Sequence, residues 1–383
     1  FDDNVAVYGG GVYADGMSSV TDSMSNFTSN SATDGGAVYA SGMSTVESTG
    51  TTWMSNTAVM DGGAVALYTS TFNIMSQNAF TSNTAMMGGG VYGIDKSNVT
   101  SVAGNTWLTN GYGKHGGAVA LYWTSSLDVT GNIFTKNNAT LGGAMHAALS
   151  SSVSSKACTW TSNMAEKGGG VALYSMSMIT IWSGNFISNT AVDGGGLYAE
   201  KRSSVRAYTT TWMNNEGLTG GGVHVVETVP LLVASCMFWN NSAHYGGGVY
   251  SAEDCSVTAT NSTWEMNTAT LQGGGVMVNV STSVNLSSCT FESNTASSGG
   301  GLYATTESIV VSIMTFWAEN AASEDGGAAA IYSMTHMTIT SDNYTSNAAS
   351  RGGGALYGFD QCRVTSTNTI WQSNHALEEG GGV

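Results

Sequence analysis

The sequence predicts an all-β fold, a right-handed single-stranded parallel β-helix of about 14 coils of 26–28 residues, from three observations. A GG[GA] motif returns fifteen times, its first glycine at 9, 35, 62, 88, 116, 142, 168, 194, 220, 246, 273, 299, 326, 352 and 380. An aromatic and an Asn, usually with an Ala, keep fixed places ahead of the glycines, as in FTSNTAMMGGGVY at 80–92. Between motifs the apolar residues alternate with period two, and helix formers at a 3.6-residue spacing are absent.

Each element follows in order within one repeat. The stretches after the glycines (GGAVYAS, GGAVALY, GGGVYGI, GGGLYAE) alternate as strands do. About eleven residues after the first Gly comes a second apolar position (Val20, Val46, Val99, Leu127, Val153, Ile179, Val205, Leu231, Val257, Val284, Val310, Met337) among Thr and Ser, which suits a second strand. A third strand carries the aromatic, as in GTTWMSN and GNIFTKN. Three short strands cannot enclose a core alone. Wound into one coil and stacked on the next at about 4.8 Å, they can. Parallel pairing favours the right-handed path.

Stacking turns sequence columns into ladders. The Gly triplet marks a tight corner with close backbone approach. The Asn column (Asn30, Asn56, Asn83, Asn110, Asn137, Asn163, Asn189, Asn215, Asn241, Asn267, Asn294, Asn320, Asn347, Asn374) predicts a stacked amide ladder that satisfies buried polar groups at a turn. The aromatic three residues earlier fills the core.

A two-coil unit of 52–54 residues overlies the single repeat. The aromatic column alternates Phe27, Trp53, Phe80, Trp107 and onward to Trp317, then Tyr344 and Trp371. An apolar column alternates with it, small at Ala40, Gly93 and Ala147, large at Leu67, Leu121 and Leu173. If Val12, Val38 and Val65 point inward, their neighbours point outward. That predicts an exposed aromatic array at Tyr13, Tyr39, Tyr68, Tyr92, Tyr122, Tyr174, Tyr198, Tyr250, Tyr303 and Tyr332, a candidate interaction face for another chain or for sugar rings.

Composition excludes several classes. Ten Lys and Arg against a net charge of −16 leave no phosphate-binding stripe, so neither nucleic acid nor an anionic membrane surface is expected as a partner. Apolar runs are strand-length, so no transmembrane helix is expected within this segment. The repeat runs through 1–383, which predicts one continuous solenoid. Both ends fall inside a repeat without atypical capping sequence, so the chain reads as an internal fragment of a longer one, with flanking domains as partners.

The search for chemistry finds little. Acids recur before the corner at Asp34, Asp61, Glu166, Asp193, Glu324, Asp325, Glu378 and Glu379, and no Lys or Arg column faces them. They read as a solvated corner, with weak Ca²⁺ binding at Glu324/Asp325 or Glu378/Glu379 the only cofactor to weigh and no catalytic or metal residue assigned. His146 and His224 occupy the Tyr/Ala column as variants. Cys158, Cys236 and Cys289 each sit two residues before the aromatic, as small buried side chains. Eight N-x-[ST] sequons, at Asn26, Asn98, Asn138, Asn240, Asn261, Asn279, Asn285 and Asn343, lie mostly next to inward columns and are candidate N-glycosylation sites in a secreted eukaryotic protein.

The pair of signatures F-x-x-N and G-G-[AG]-[ILV], here FTSN at 80–83 with GGGV at 88–91 and FESN at 291–294 with GGGL at 299–302, resembles the polymorphic outer membrane protein repeat of chlamydial surface proteins, within the pectin-lyase-like β-helix superfamily. The resemblance covers essentially the whole chain, departing from the pattern in the Trp of alternate coils and in its strict length. It implies a right-handed parallel β-helix displayed outside the cell for adhesion or surface structure. The expected function is a non-enzymatic extracellular rod, structural or adhesive. The alternatives are a carbohydrate-active enzyme of the pectin-lyase-like class and a filament subunit joined through its Tyr face.

Overall fold

The computed structural model describes residues 1–382, and among them regular structure is all strand. The chain divides into two compact units, Phe1–Ala191 and one beginning at Val192. Each unit is a parallel β-solenoid of seven coils, about 14 in all. No helix of the described residues is long and apolar enough to cross a membrane.

In the first unit one coil runs through Val91–Ile94, Asn98–Ser101 and Thr106–Leu108. Each strand pairs in parallel with its counterpart one repeat earlier and one later. Val91 aligns with Val65 and Val119, Val99 with Phe72 and Leu127, and Trp107 with Phe80 and Phe134. Phe72 was missed as a member of the second apolar column. It is fully buried and meets Trp53 edge-on at 5.9 Å. The second unit repeats the scheme, with Val276 aligned to Val249 and Leu302.

In many coils the structure adds a fourth strand to the three expected. It precedes the glycines, as in Ser31–Asp34 paired with Thr57–Asp61, and Gly111–His115 paired with Asn138–Leu141. In the second unit it forms a six-stranded sheet from Ser242–Tyr245 to His375–Ala376. Its inward residue is the motif Ala (Ala32, Ala58, Ala139, Ala243, Ala269), and Ala carries little strand signal.

The corner after this strand needs glycine for two different reasons. Gly88 has φ 63°, and a Cβ there would lie 2.2 Å from the Val91 oxygen. A Cβ on Gly89 would lie 2.3 Å from the oxygen of Gly117 on the next coil. The first glycine supplies a left-handed turn and the second lets two coils touch.

Inside the first unit the rings from Phe27 to Phe186 stack face to face, with centroids 4.1–5.8 Å apart and planes within 13°. The second unit continues the pattern from Trp212 to Trp371, at 4.2–5.5 Å. Burial of each ring contributes roughly 1.5–3 kcal/mol. The alternating column interdigitates, Gly93 lying between Leu67 and Leu121, and Ala304 between Val278 and Ile331. Large side chains thus face small ones on both neighbouring coils, an alternation that suits close packing.

Candidate functional site

The polar residues of the repeat are used first to hold coils together. In Phe1–Ala191 each Asn from Asn30 to Asn163 donates Nδ2–H to Oδ1 of the next, ending on Asn189, at 2.9–3.1 Å. The second hydrogen goes back to the carbonyl of the preceding coil's aromatic, as from Asn56 to Phe27 at 2.8 Å. Each Oδ1 also accepts a backbone N–H, as from Asn83 to Asn110 at 3.0 Å. From Asn215 to Asn374 the second unit carries the same ladder at 2.9–3.0 Å. These amides are saturated and offer nothing to a ligand.

A second polar column lies two residues before the aromatic. Asn78 donates to Asn105 at 3.2 Å, and Asn132 accepts from Ser101 at 2.7 Å and from the Trp107 indole at 3.0 Å. In the second unit Asp342 accepts from Ser312, from the Thr315 backbone and from the Trp317 indole. Cys158, Cys236 and Cys289 fill the same slot as free, buried thiols, their pKa raised by burial.

The exposed Tyr array is corrected by the structure. Of Tyr13, Tyr39, Tyr68, Tyr92, Tyr122, Tyr174, Tyr198, Tyr250, Tyr303 and Tyr332, only Tyr13 is exposed. Tyr92, Tyr198 and Tyr303 are buried and the other six half-buried. The rings do point out of the coil, but residues just before the glycines meet several of them. The Tyr68 hydroxyl donates to Asp61 at 2.6 Å, and the Tyr332 hydroxyl to Asp325 at 2.7 Å. The Tyr122 hydroxyl meets His115 Nδ1. Successive rings touch in a zigzag (Tyr39 to Tyr68 at 5.2 Å, Tyr68 to Tyr92 at 5.9 Å), making a second aromatic ladder outside the coil. His146 and His224 do lie in this column. His146 is buried, stacks on His115 at 4.8 Å and leaves Nδ1 without a partner. Burial, with His115 nearby, holds its pKa well below the ordinary value.

The acidic corner is likewise only partly solvated. Glu166, Glu324, Glu378 and Glu379 are exposed, and Asp34 and Asp193 half-buried. Asp61 and Asp325 are buried. Burial raises the Asp61 pKa to about 6, Tyr68 opposing and neighbouring Asp34 adding to the rise. Asp325 does meet a cation on the adjacent coil. Arg351 Nε donates to its Oδ1 at 2.8 Å and the other guanidinium arm to Oδ2. Burial alone would raise the Asp325 carboxyl, but Arg351 and Tyr332 outweigh it and the pKa falls. Both of its oxygens are thus engaged. Among the described residues no three His, Cys, Asp or Glu side chains converge as a metal site would require.

The eight sequon asparagines all reach the surface. Asn26, Asn240, Asn261 and Asn285 are exposed, and Asn98, Asn138, Asn279 and Asn343 half-buried. Some exposed aromatic residues carried no expectation, Tyr112 and Trp123 among them. Tyr112 stands 77 % exposed at a bulge between Gly111 and Gly113. Its trace in the sequence is the 28-residue step from Gly88 to Gly116.

Comparison with known families finds two matches. The model described as right handed beta helix region matches residues 146–316. The Chlamydia polymorphic membrane protein repeat matches residues 25–41, the segment from the Phe27–Asn30 signature through the first strand after the corner. No curated protein and no solved structure matches the chain.

Proposed function

From a chain that carries a right-handed β-helix and a polymorphic membrane protein repeat, we propose a non-enzymatic repeat scaffold displayed at the cell surface or outside the cell, with a structural or adhesive role. Its partners are other protein chains or glycans met there. The observation that carries this reading is where the reactive side chains go. Many of the amides, carboxylates and imidazoles that could do chemistry are spent on the scaffold itself: the Asn ladder and Asp325 on Arg351 between coils, Asp61 on Tyr68 and His115 on Tyr122 across a corner. The ladder amides scale in number with the coils, as scaffold interactions do and a single catalytic centre does not.

The test is accessibility in the source organism. Antibody raised against the purified chain should label intact cells or extracellular material, and surface protease should remove the label. Labelling only after permeabilisation would overturn display. Reproducible cleavage of acidic polysaccharides by the purified chain, with or without Ca²⁺, would overturn the non-enzymatic reading.

A further inference from the structure

We propose that Tyr112 is the stacking platform of an oligosaccharide-binding site on the unit Phe1–Ala191. This deepens the adhesive reading above and rests on it.

The site is built by an insertion. Gly111 pairs with Asn138 and Gly113 with Ala139, so Tyr112 is the extra residue that two coils in register cannot absorb. A bulge re-aims the side chain it carries, and bulges gather at functional sites. Here both flanking positions require glycine. A Cβ on Gly111, which has φ 119°, would lie 1.9 Å from the Asn138 oxygen. A Cβ on Gly113 would lie 2.0 Å from the Ala85 oxygen. Tyr112 itself sits at φ 74°, where a bulky residue is strained. The Gly-Tyr-Gly run therefore spends backbone strain to hold one aromatic in solvent, an arrangement that packing does not call for.

Recesses flank the ring. One, of about 460 Å³, is lined by Thr84, Thr140 and Lys114 beside Tyr112. The other, of about 410 Å³, is lined by Asn138, Thr140 and Glu166 beside the same ring. Small residues make room, Ala58 and Ala85 in the first and Ala139 and Ala165 in the second.

The chemistry selects a sugar. A pyranose offers a C–H face for the ring and hydroxyls at its rim. Hydroxyl, amide, ammonium and carboxylate groups stand around the ring to meet them. A peptide that binds by adding a strand needs a free strand edge. Here the backbone is already paired, Gly111 N–H to Asn83 O at 2.9 Å, Lys114 N–H to Met86 O at 2.7 Å and Asn138 N–H to Asn110 O at 3.0 Å. Nucleic acid would meet a net charge of −16. A recess on each side of one ring suits a chain of sugars better than a single residue.

A broad glycan array probed with the purified chain tests this. Asn138→Gln is run in parallel, because a glycan on Asn138 would itself fill the second recess. The expected result is retention of a defined set of oligosaccharides by one or both proteins. In whichever binds, Tyr112→Ala lowers the apparent affinity by about tenfold or more, the range for losing an aromatic stack. Tyr112→Gly, which accepts the backbone geometry without strain, does the same. Tyr112→Trp retains binding, and Trp123→Ala, which removes an exposed ring elsewhere on the unit, leaves it unchanged. The proposal is overturned if neither protein retains any saccharide. It is also overturned if both Tyr112 truncations bind as the parent does, if Trp123→Ala loses as much as they do, or if a peptide library is retained instead. Surface labelling of intact cells is independent of all these outcomes, so failure here leaves the broader reading standing.

Discussion

Asn83 gives one amide hydrogen to Oδ1 of Asn110 on the next coil, at 3.0 Å, and the other to the Trp53 carbonyl on the coil before, at 2.8 Å. One side chain thus ties three coils. The ladder accepts only a residue with both donors and an acceptor. Asn110→Leu would leave one Asn83 amide hydrogen and the Asn83 backbone N–H without their acceptor and take a donor from the Phe80 carbonyl, while Oδ1 of Asn137 would keep only the backbone N–H of residue 110. The expected loss is about 3–5 kcal/mol in urea unfolding. Ser82→Ala, at the exposed neighbouring position, should stay within about 0.5 kcal/mol. Equal effects would mean that the ladder contributes nothing beyond the turn.

How much of this was legible depends on what each column answers to. The Asn, Gly and Phe/Trp columns answer to the coil's own geometry, and repetition at constant spacing exposes them. The tyrosines answer to something else. Alternation says that Tyr68 leaves the coil, but not that the strand Thr57–Asp61 ends beside it and takes its hydroxyl. That strand is built around alanine and has no pattern of its own. The pairing of buried Asp325 with exposed Arg351 was hidden for a similar reason, since its cation occurs once and forms no column. Tyr112 was visible only as a length anomaly, and a count of residues does not say which one is expelled.

The two kinds of indole give a second prediction. The Trp107 N–H donates to Asn132, while the buried Trp160 N–H has no partner. Trp107→Phe loses a bond, whereas Trp160→Phe removes an unsatisfied donor. In matched denaturation curves Trp107→Phe should be the more destabilising by about 1–2 kcal/mol. The reverse order would contradict the assigned indole contacts.

Asp61 gives a pH dependence of defined sign. Its pKa rises on folding from 3.8 to about 6, so the folded state takes up the proton first as pH falls. The ionised carboxylate therefore opposes folding above about pH 6, and the opposition fades between about 6 and 4. Asp61→Asn, which can still accept from Tyr68, should stabilise the protein by about 1–2 kcal/mol above pH 7, after discounting the full shift for relaxation and nearby water. Below about pH 4 it should have little effect. Urea unfolding at the two pH values reads this difference, and a variant less stable at pH 7 would refute it.

His146 works in the opposite sense. Its folded pKa is depressed, so the stability it contributes as a neutral ring is present above the unfolded value near 6.5 and lost as pH falls. His115, Tyr122 and Tyr174 face it, and none is an anion that could stabilise the imidazolium at neutral pH. His146→Gln should flatten the fall in stability between about pH 6.5 and 5 relative to the parent. An unchanged slope would place the acid sensitivity elsewhere.

Register between coils is tested most directly by cross-linking. The side-chain oxygens of Ser82 and Thr109 lie 3.0 Å apart on adjacent coils. With coils about 4.8 Å apart, a Ser82→Cys/Thr109→Cys pair falls within disulfide reach, whereas Ser82→Cys/Lys136→Cys, two coils apart at about 9.6 Å, does not. Mild oxidation of the folded protein, followed by peptide mapping, should find the first bond in high yield and the second not at all. Failure of the first pair, or formation of the second, would contradict one coil per repeat.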